Sequence, residues 1–189
     1  FPPVGGGGGR VAEDICSKLA RRGHVVMVLT THIKGLPYQE ERNGFQIIRF
    51  GSLRTQAYRA SFLSMATYVL AGLWAGRRLM GSFKPDVIHA HFAVPAGALA
   101  WMLARLTKIP YVLTVHLGDV PGGVPEKTDE WFRWIYPFTP RIWRNASEIV
   151  AVSEFTRQLA LKKYNEKIQV VPNGVDLSTL MPEQISLND

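Results

Sequence analysis

Three histidines and one aspartate are the side chains of this 189-residue chain best suited to chemistry. His89 and His91, in the stretch VIHAHF, lie two residues apart in an apolar run typical of a strand, so both point to the same side. Such a pair can bind a metal ion, with His116 as a third ligand and Asp119 as a fourth. This pattern is compatible with a metal-dependent hydrolase that uses His89, His91 and His116. The alternative is that the strand histidines only pack in the core or form hydrogen bonds.

His116 is the best single candidate for contact with a reacting substrate. It ends the apolar run YVLTVH and is followed by a loop rich in glycine and proline. Asp119, three residues later, could accept hydrogen bonds from substrate hydroxyls. The alternative for Asp119 is a solvated loop residue or a helix cap.

A run of five glycines near the start of the chain is the other chemical feature. In FPPVGGGGGR, Gly5 to Gly9 precede a helical pattern that runs from Arg10 to Arg22. Glycines let backbone amides approach a ligand, and a helix N-terminus attracts anions, so the junction could hold a phosphate. A plain linker has the same composition.

The remaining elements alternate between apolar strands and helices, which predicts an α/β fold with a doubly wound, mostly parallel sheet. Ligands of such sheets bind beyond the carboxyl ends of the strands. A glycine turn of this kind normally follows the first strand, so we expect that a central strand preceding Phe1 is missing from the sequence. The predicted strands are residues 24–31, 45–50, 86–92, 111–116, 148–153 and 168–171; the predicted helices are 10–22, 54–81 (interrupted at Gly72 and Gly76), 96–107 and 154–163; residues 32–44 are predicted as a loop.

Charge and composition narrow the function classes. The net charge of +7 suits phosphorylated ligands or an anionic membrane surface, and no nucleic-acid-binding motif is recognised. The single cysteine, Cys16, excludes an internal disulfide and favours a cytoplasmic setting. The uncharged stretch from Ala60 to Gly76 is short for a membrane span, which predicts a buried helix or one that docks on a surface, with peripheral contact at the inner membrane face as an open alternative.

Five segments, in order and spacing, resemble glycosyltransferase family 4. They are FPPVGGGGGR with LARRGHVVMVLT, then KPDVIHAHF, PYVLTVHLGD, IVAVSEFTRQLALKKY and VVPNGVDLSTLMP. The resemblance implies a Rossmann-like half of a GT-B fold: residues 1–176 as the N-terminal acceptor-side domain, residues 177–189 as the start of an interdomain linker, and an absent C-terminal domain that binds the donor. A fragment of this kind is expected to be inactive alone.

The resemblance also implies the activity and the site. It suggests a retaining transferase that moves a sugar from a nucleotide-sugar co-substrate to an acceptor, with no cofactor and no metal. His116 matches the family's histidine at the reaction centre, and Gly6 and Gly7 match its paired glycines near the donor phosphates. An epimerase of nucleotide sugars with the same architecture is the alternative. The other residues assigned to donor-phosphate or acceptor binding are Arg10, His91, Asp119 and Asn173.

Overall fold

Strands and helices alternate along most of the chain. The computed structural model describes residues 1–3, 6–53, 61–124 and 134–174. A π-helical turn, Ala93–Gly97, precedes α3, and a 3-10 turn, Leu117–Asp119, follows β5. In chain order the elements are α1 (Gly7–Arg21), β1 (Met27–Thr31), β2 (Gln39–Arg42), β3 (Phe45–Phe50), α2 (Phe62–Phe83), β4 (Ile88–His91), α3 (Ala98–Thr107), β5 (Tyr111–Val115), α4 (Thr139–Arg144), β6 (Glu148–Ala151), α5 (Glu154–Leu161) and β7 (Ile168–Val170).

The strands form two sheets. Strands β4, β5, β6 and β7 lie side by side in that order, and all are parallel. The second sheet has the order β1-β3-β2, in which β1 is parallel and β2 antiparallel to β3. The α/β class and the mostly parallel sheet predicted from the apolar runs are therefore confirmed.

Several predicted boundaries are wrong. Helix α1 begins at Gly7 rather than Arg10, because the last three glycines of the run adopt helical backbone. The predicted loop 32–44 contains β2, which the Asn43-Gly44 turn joins to β3 through two residues of positive φ, as in tight hairpins. The predicted helix 54–81 begins at Phe62 and ends at Phe83, and its residues 54–60 lie outside the described residues, as does the predicted linker 177–189.

Strands β1 and β4 each lie at an edge of their sheet. Among the described residues β1 pairs only with β3, and β4 pairs only with β5. Four of the five residues of β1 are only partly buried, although its sequence is mostly apolar, whereas Leu113 and Val115 of β5 are fully buried. The incomplete burial of β1 is consistent with its position at an edge of its sheet.

Helix α2 connects the two sheets on one face. A Cβ atom added to Gly72 would lie 2.6 Å from Leu99 and 2.9 Å from Phe50, and one added to Gly76 would lie 2.8 Å from Leu103. The two glycines thus allow the α2 backbone to approach α3, and they do not interrupt the helix. A hydrophobic cluster that contains Phe50, Leu99 and Leu103 also contacts residues of β1 and β4.

We predict that Gly72→Ala lowers the free energy of unfolding by about 1–3 kcal/mol, because the new methyl group overpacks the contact with α3. Gly81→Ala is the matched control, since an added Cβ at Gly81 meets nothing within 4 Å. The control should be neutral or stabilising by up to about 1 kcal/mol, as alanine favours a helix over glycine. Urea unfolding measures both, and equal effects would contradict the close-packing interpretation.

Candidate active site

The candidate site lies where β4 and β5 end. These parallel neighbours bring His91 and His116 to the same edge of the sheet. The His91 and His116 ring centroids are 5.8 Å apart, and those of His89 and His91 are 4.5 Å apart. The prediction that the strand histidines share a side is therefore confirmed.

Asp119 ties the loops after these two strands together. One carboxylate oxygen accepts a hydrogen bond from the Ala93 amide at 2.8 Å, and the other accepts one from the His116 amide at 2.9 Å. The side chain is buried, and burial raises the pKa of Asp119 to about 7 against the opposing effect of these amides. Asp119 therefore caps the 3-10 turn and positions His116, which favours the cap alternative over direct contact with a substrate hydroxyl.

His116 packs between aromatic and backbone groups. Its ring stacks on Phe92 with 4.6 Å between centroids. Its Nε2 atom is buried and has no hydrogen-bond partner among the described residues. Burial lowers the pKa of His116, so the imidazole is neutral near pH 7 and has one ring nitrogen able to meet a ligand group.

His91 has a similar environment. Its Nδ1 atom is also buried without a hydrogen-bond partner in the described part of the chain. Burial, and then the neighbouring His89 and His116, lower the pKa of His91 to about 3. His89 is held differently, because its Nε2 lies 2.8 Å from the Thr114 hydroxyl. Two neutral imidazoles with unpaired nitrogens therefore lie at one edge of the sheet.

The N-terminus of α1 lies against His116. A Cβ added to Gly8 would lie 2.5 Å from the Phe92 ring and 3.2 Å from the His116 ring, so only glycine permits this approach. Gly6 is the N-cap, no side chain caps the helix, and its first turn contains no acidic residue. Within the described residues, no cap side chain and no acidic residue of the first turn compensates the positive end of the α1 dipole, which lies beside His116.

The other predicted site residues are more scattered. Gly6, Gly7 and Arg10 are exposed at the start of α1, and an added Cβ at Gly6 or Gly7 would meet nothing within 4 Å. Asn173 is exposed after β7, at the same edge of the sheet but separated from β5 by β6. The structure thus brings His91, His116, Asp119 and the start of α1 together, and leaves Asn173 two strands away.

The metal hypothesis gains no support from the geometry. No three His, Cys, Asp or Glu side chains within the described ranges are placed to hold a metal ion. His89 bonds to Thr114, and Asp119 has both oxygens on backbone amides.

Two residues of the site escaped sequence reasoning. Phe92 has φ 76°, an unfavourable backbone conformation for a residue with a side chain, and its ring lies against both His116 and Gly8 of α1. Gly8 belongs to a glycine run in which the family resemblance assigns a role only to Gly6 and Gly7. The sequence signals for these roles are weak: Phe92 lies at the end of a predicted strand, and Gly8 lies just before a predicted helix.

Comparison with known proteins identifies relatives of the chain. A model of the family described as Glycosyltransferase Family 4 matches residues 5–179. A putative teichuronic acid biosynthesis glycosyltransferase of Bacillus subtilis is 37% identical over 94 residues, which are 50% of this chain and 23% of that protein. The sulfoquinovosyl transferase of Arabidopsis thaliana is 32% identical over 124 residues, covering 63% of this chain and 22% of that protein.

A solved structure shows the same fold. The sucrose-phosphate synthase of Thermosynechococcus elongatus superposes with a TM-score of 0.72 at 15% identity, covering 92% of this chain and 44% of that one. The chain spans less than half the length of that protein, and less than a quarter of the two curated relatives above. The GT-B expectation for the fold is therefore confirmed.

We predict that Gly8→Ala is less stable than Gly7→Ala by about 1–2 kcal/mol, although the two alanines would be neighbours in the same helix turn. The methyl group at position 8 meets the Phe92 ring, which is stacked on His116 and cannot withdraw freely, whereas position 7 faces open space. Thermal and urea unfolding of the two variants provide the test. Equal stabilities would show that α1 does not pack on the Phe92–His116 pair.

Asp119→Asn should change how stability depends on pH. Because the pKa of Asp119 is raised on folding, its contribution is largest in acid and is lost as the pH rises through about 7. Asparagine does not titrate, so the difference in free energy of unfolding should move in favour of the variant by more than about 1 kcal/mol between about pH 4 and about pH 7. Urea titrations across this range measure it, and a constant difference would contradict the raised pKa.

Proposed function

Because the chain belongs to glycosyltransferase family 4, we propose that residues 1–176 are the acceptor-side domain of a retaining glycosyltransferase. The reaction moves a sugar from a nucleotide-sugar donor to an acceptor hydroxyl. A second domain, reached through the linker that begins at residue 177, binds most of the donor. The domain described here supplies one wall of the cleft.

One observation carries this proposal: the uncapped N-terminus of α1 lies against His116, whose buried Nε2 lacks a partner among the described residues. An unpaired buried nitrogen is costly unless a ligand or water satisfies it, and a helix N-terminus without acidic neighbours favours an anion. A nucleotide sugar offers a partner for each feature. Its diphosphate is an anion that the start of α1 favours, and its sugar hydroxyls can form hydrogen bonds with the His116 imidazole.

The chemistry follows from these positions. Loss of the nucleotide diphosphate places negative charge on the leaving oxygen, and the α1 dipole stabilises that charge without a metal ion. The neutral His116 imidazole contacts the transferring sugar and orients it, while His91 provides a second nitrogen at the same edge. Asp119 acts through its backbone bonds by positioning the His116 segment.

The alternatives find less support. A metal-dependent hydrolase would need a ligand set that the described residues do not assemble. An epimerase would convert the donor without an acceptor, so incubation of the enzyme with donor alone separates it from a transferase. The named relatives act on different sugars, and a donor screen should therefore include several nucleotide sugars.

We predict that two substitutions at Gly6 differ in their effect on the KM for the donor, tested in a protein that also contains the donor domain. Both Gly6→Ser and Gly6→Asp should cap α1 and raise stability by a few tenths of a kcal/mol. Only aspartate adds a negative charge where the phosphate is proposed to bind, so it should raise the KM for the nucleotide sugar by about tenfold, while serine leaves KM within about twofold. Initial rates of transfer over a range of donor concentrations measure the effect.

A control excludes a general effect of charge. Gly81→Asp introduces the same charge at an exposed position of α2, where an added Cβ meets nothing within 4 Å, and it should leave KM unchanged. Equal KM values for the two Gly6 variants would overturn the placement of the phosphate at α1. Turnover of donor with no dependence on acceptor would overturn the transferase itself.

A further inference from the structure

Helix α2 has an exposed apolar face. Leu63, Leu70 and Trp74 are 63%, 66% and 69% exposed, and their spacing of seven and four residues places them on one side of the helix. The opposite side packs into the protein through Gly72 and Gly76. Large apolar side chains aligned along one helix, rather than scattered, mark an interaction surface.

The same face becomes basic toward its C-terminal end. Arg77 and Arg78 follow the apolar residues on this side, and the guanidinium carbon of Arg78 lies 5.9 Å from the centre of the Trp74 ring. The helix sequence from Phe62 to Phe83 contains no acidic residue. We call Leu63, Leu70, Trp74, Arg77 and Arg78 the α2 stripe.

The adjoining helix repeats the pattern. Arg105 of α3 lies over Trp101 at 5.7 Å, four residues earlier, as Arg78 lies over Trp74. A surface groove of about 410 Å³ separates the C-terminal ends of the two helices and is lined by basic and apolar side chains, among them Arg77, Lys84 and Leu106. Residues 62–109 contain five Lys or Arg and one acidic residue, Asp86.

We propose that the α2 stripe docks the protein on an anionic lipid bilayer. Leucine and tryptophan side chains suit the boundary between headgroups and acyl chains, and arginines beside them reach lipid phosphates while their stems remain on apolar surface. No helix within the described residues is long and apolar enough to cross a membrane.

Charge favours a bilayer over a second copy of the chain. Two copies meeting through this face would bring two arginine pairs and two basic grooves together, which costs repulsion. An anionic surface is complementary to the same groups, and it accepts the apolar residues without requiring a matching pocket.

The direction of α2 places its N-terminal end near the candidate site. Gly72 and Gly76 of α2 lie against Leu99 and Leu103 of α3, so the two helices run in the same direction. Helix α3 begins shortly after His91 ends β4, so the N-terminal, apolar end of α2 lies toward the sheet edge where His91 and His116 lie. Docking would therefore hold the candidate site close to the bilayer. The docking surface does not depend on glycosyl transfer, and its test uses the chain alone.

The experiment is vesicle co-sedimentation of the 189-residue chain. Vesicles of phosphatidylcholine with about 30% phosphatidylglycerol should bind it, and pure phosphatidylcholine should bind it at least about fivefold more weakly at about 0.1 M salt. Leu70→Ser with Trp74→Ser should weaken binding to the anionic vesicles by about tenfold or more. Arg77→Gln with Arg78→Gln should weaken it at about 0.1 M salt and have less effect at about 0.5 M.

Control variants remove an exposed aromatic residue or two exposed arginines from positions outside the α2 stripe. Phe155→Ser removes a 65% exposed aromatic residue from α5, and Arg21→Gln with Arg22→Gln removes two exposed charges at the end of α1. Both should bind vesicles like the parent chain. Brominated lipid should quench part of the fluorescence of the five tryptophans, and Trp74→Phe should remove most of that quenching while retaining binding.

Three outcomes would overturn the proposal. The first is absence of binding to anionic vesicles, and the second is equal weakening by the stripe and control variants. The third is a lipid-free dimer, seen by analytical ultracentrifugation, that the Leu70→Ser, Trp74→Ser variant dissociates, since that would assign the stripe to contact between copies.

Discussion

The buried carboxylate of Asp119 is the interaction on which the candidate site depends. Each of its oxygens binds a backbone amide, one after β4 and one at the end of β5, and the two loops are thereby fixed relative to each other. Burial is costly for the ionised form of this group, and the amide bonds offset only part of that cost, because the pKa of Asp119 remains raised to about 7. The connection fixes the backbone beside both rings of the site, because His116 supplies one of the bonded amides and Phe92 directly precedes Ala93, which supplies the other.

The start of α1 is a second constraint on the same site. A helix N-terminus can approach a histidine and a phenylalanine this closely only where a Cβ is absent, and Gly8 provides that position. The glycine run therefore contains members with different roles: Gly8 allows packing, Gly6 leaves the helix uncapped, and Gly7 faces open space. Three glycines that look alike in the sequence therefore occupy three different environments in the structure.

The strand pattern was readable from the sequence because buried parallel strands are continuous apolar runs. Residues 45–50 were predicted with their observed bounds, and His91 and His116 were placed at strand ends correctly. The start of α1 could not be predicted because glycine has weak helix propensity, and the residues against which Gly8 lies, Phe92 and His116, are far along the chain. The burial of Asp119 could not be predicted, since one of its two partners, the Ala93 amide, lies 26 residues earlier in the chain. Gly72 and Gly76 looked like interruptions because their neighbours on α3 were unknown.

The crossing of α2 over α3 has a consequence for cooperativity. The two sheets share no strand pairing among the described residues, so hydrogen bonding alone would leave them as separate folding units. The Gly76 position of α2 contacts Leu103 of α3 and Leu29 of β1 together, which places one helix in the packing of both units. Local opening of either sheet therefore disturbs a contact that stabilises the other, and the two behave as coupled foldons whose exchange of amide hydrogens is linked through α2.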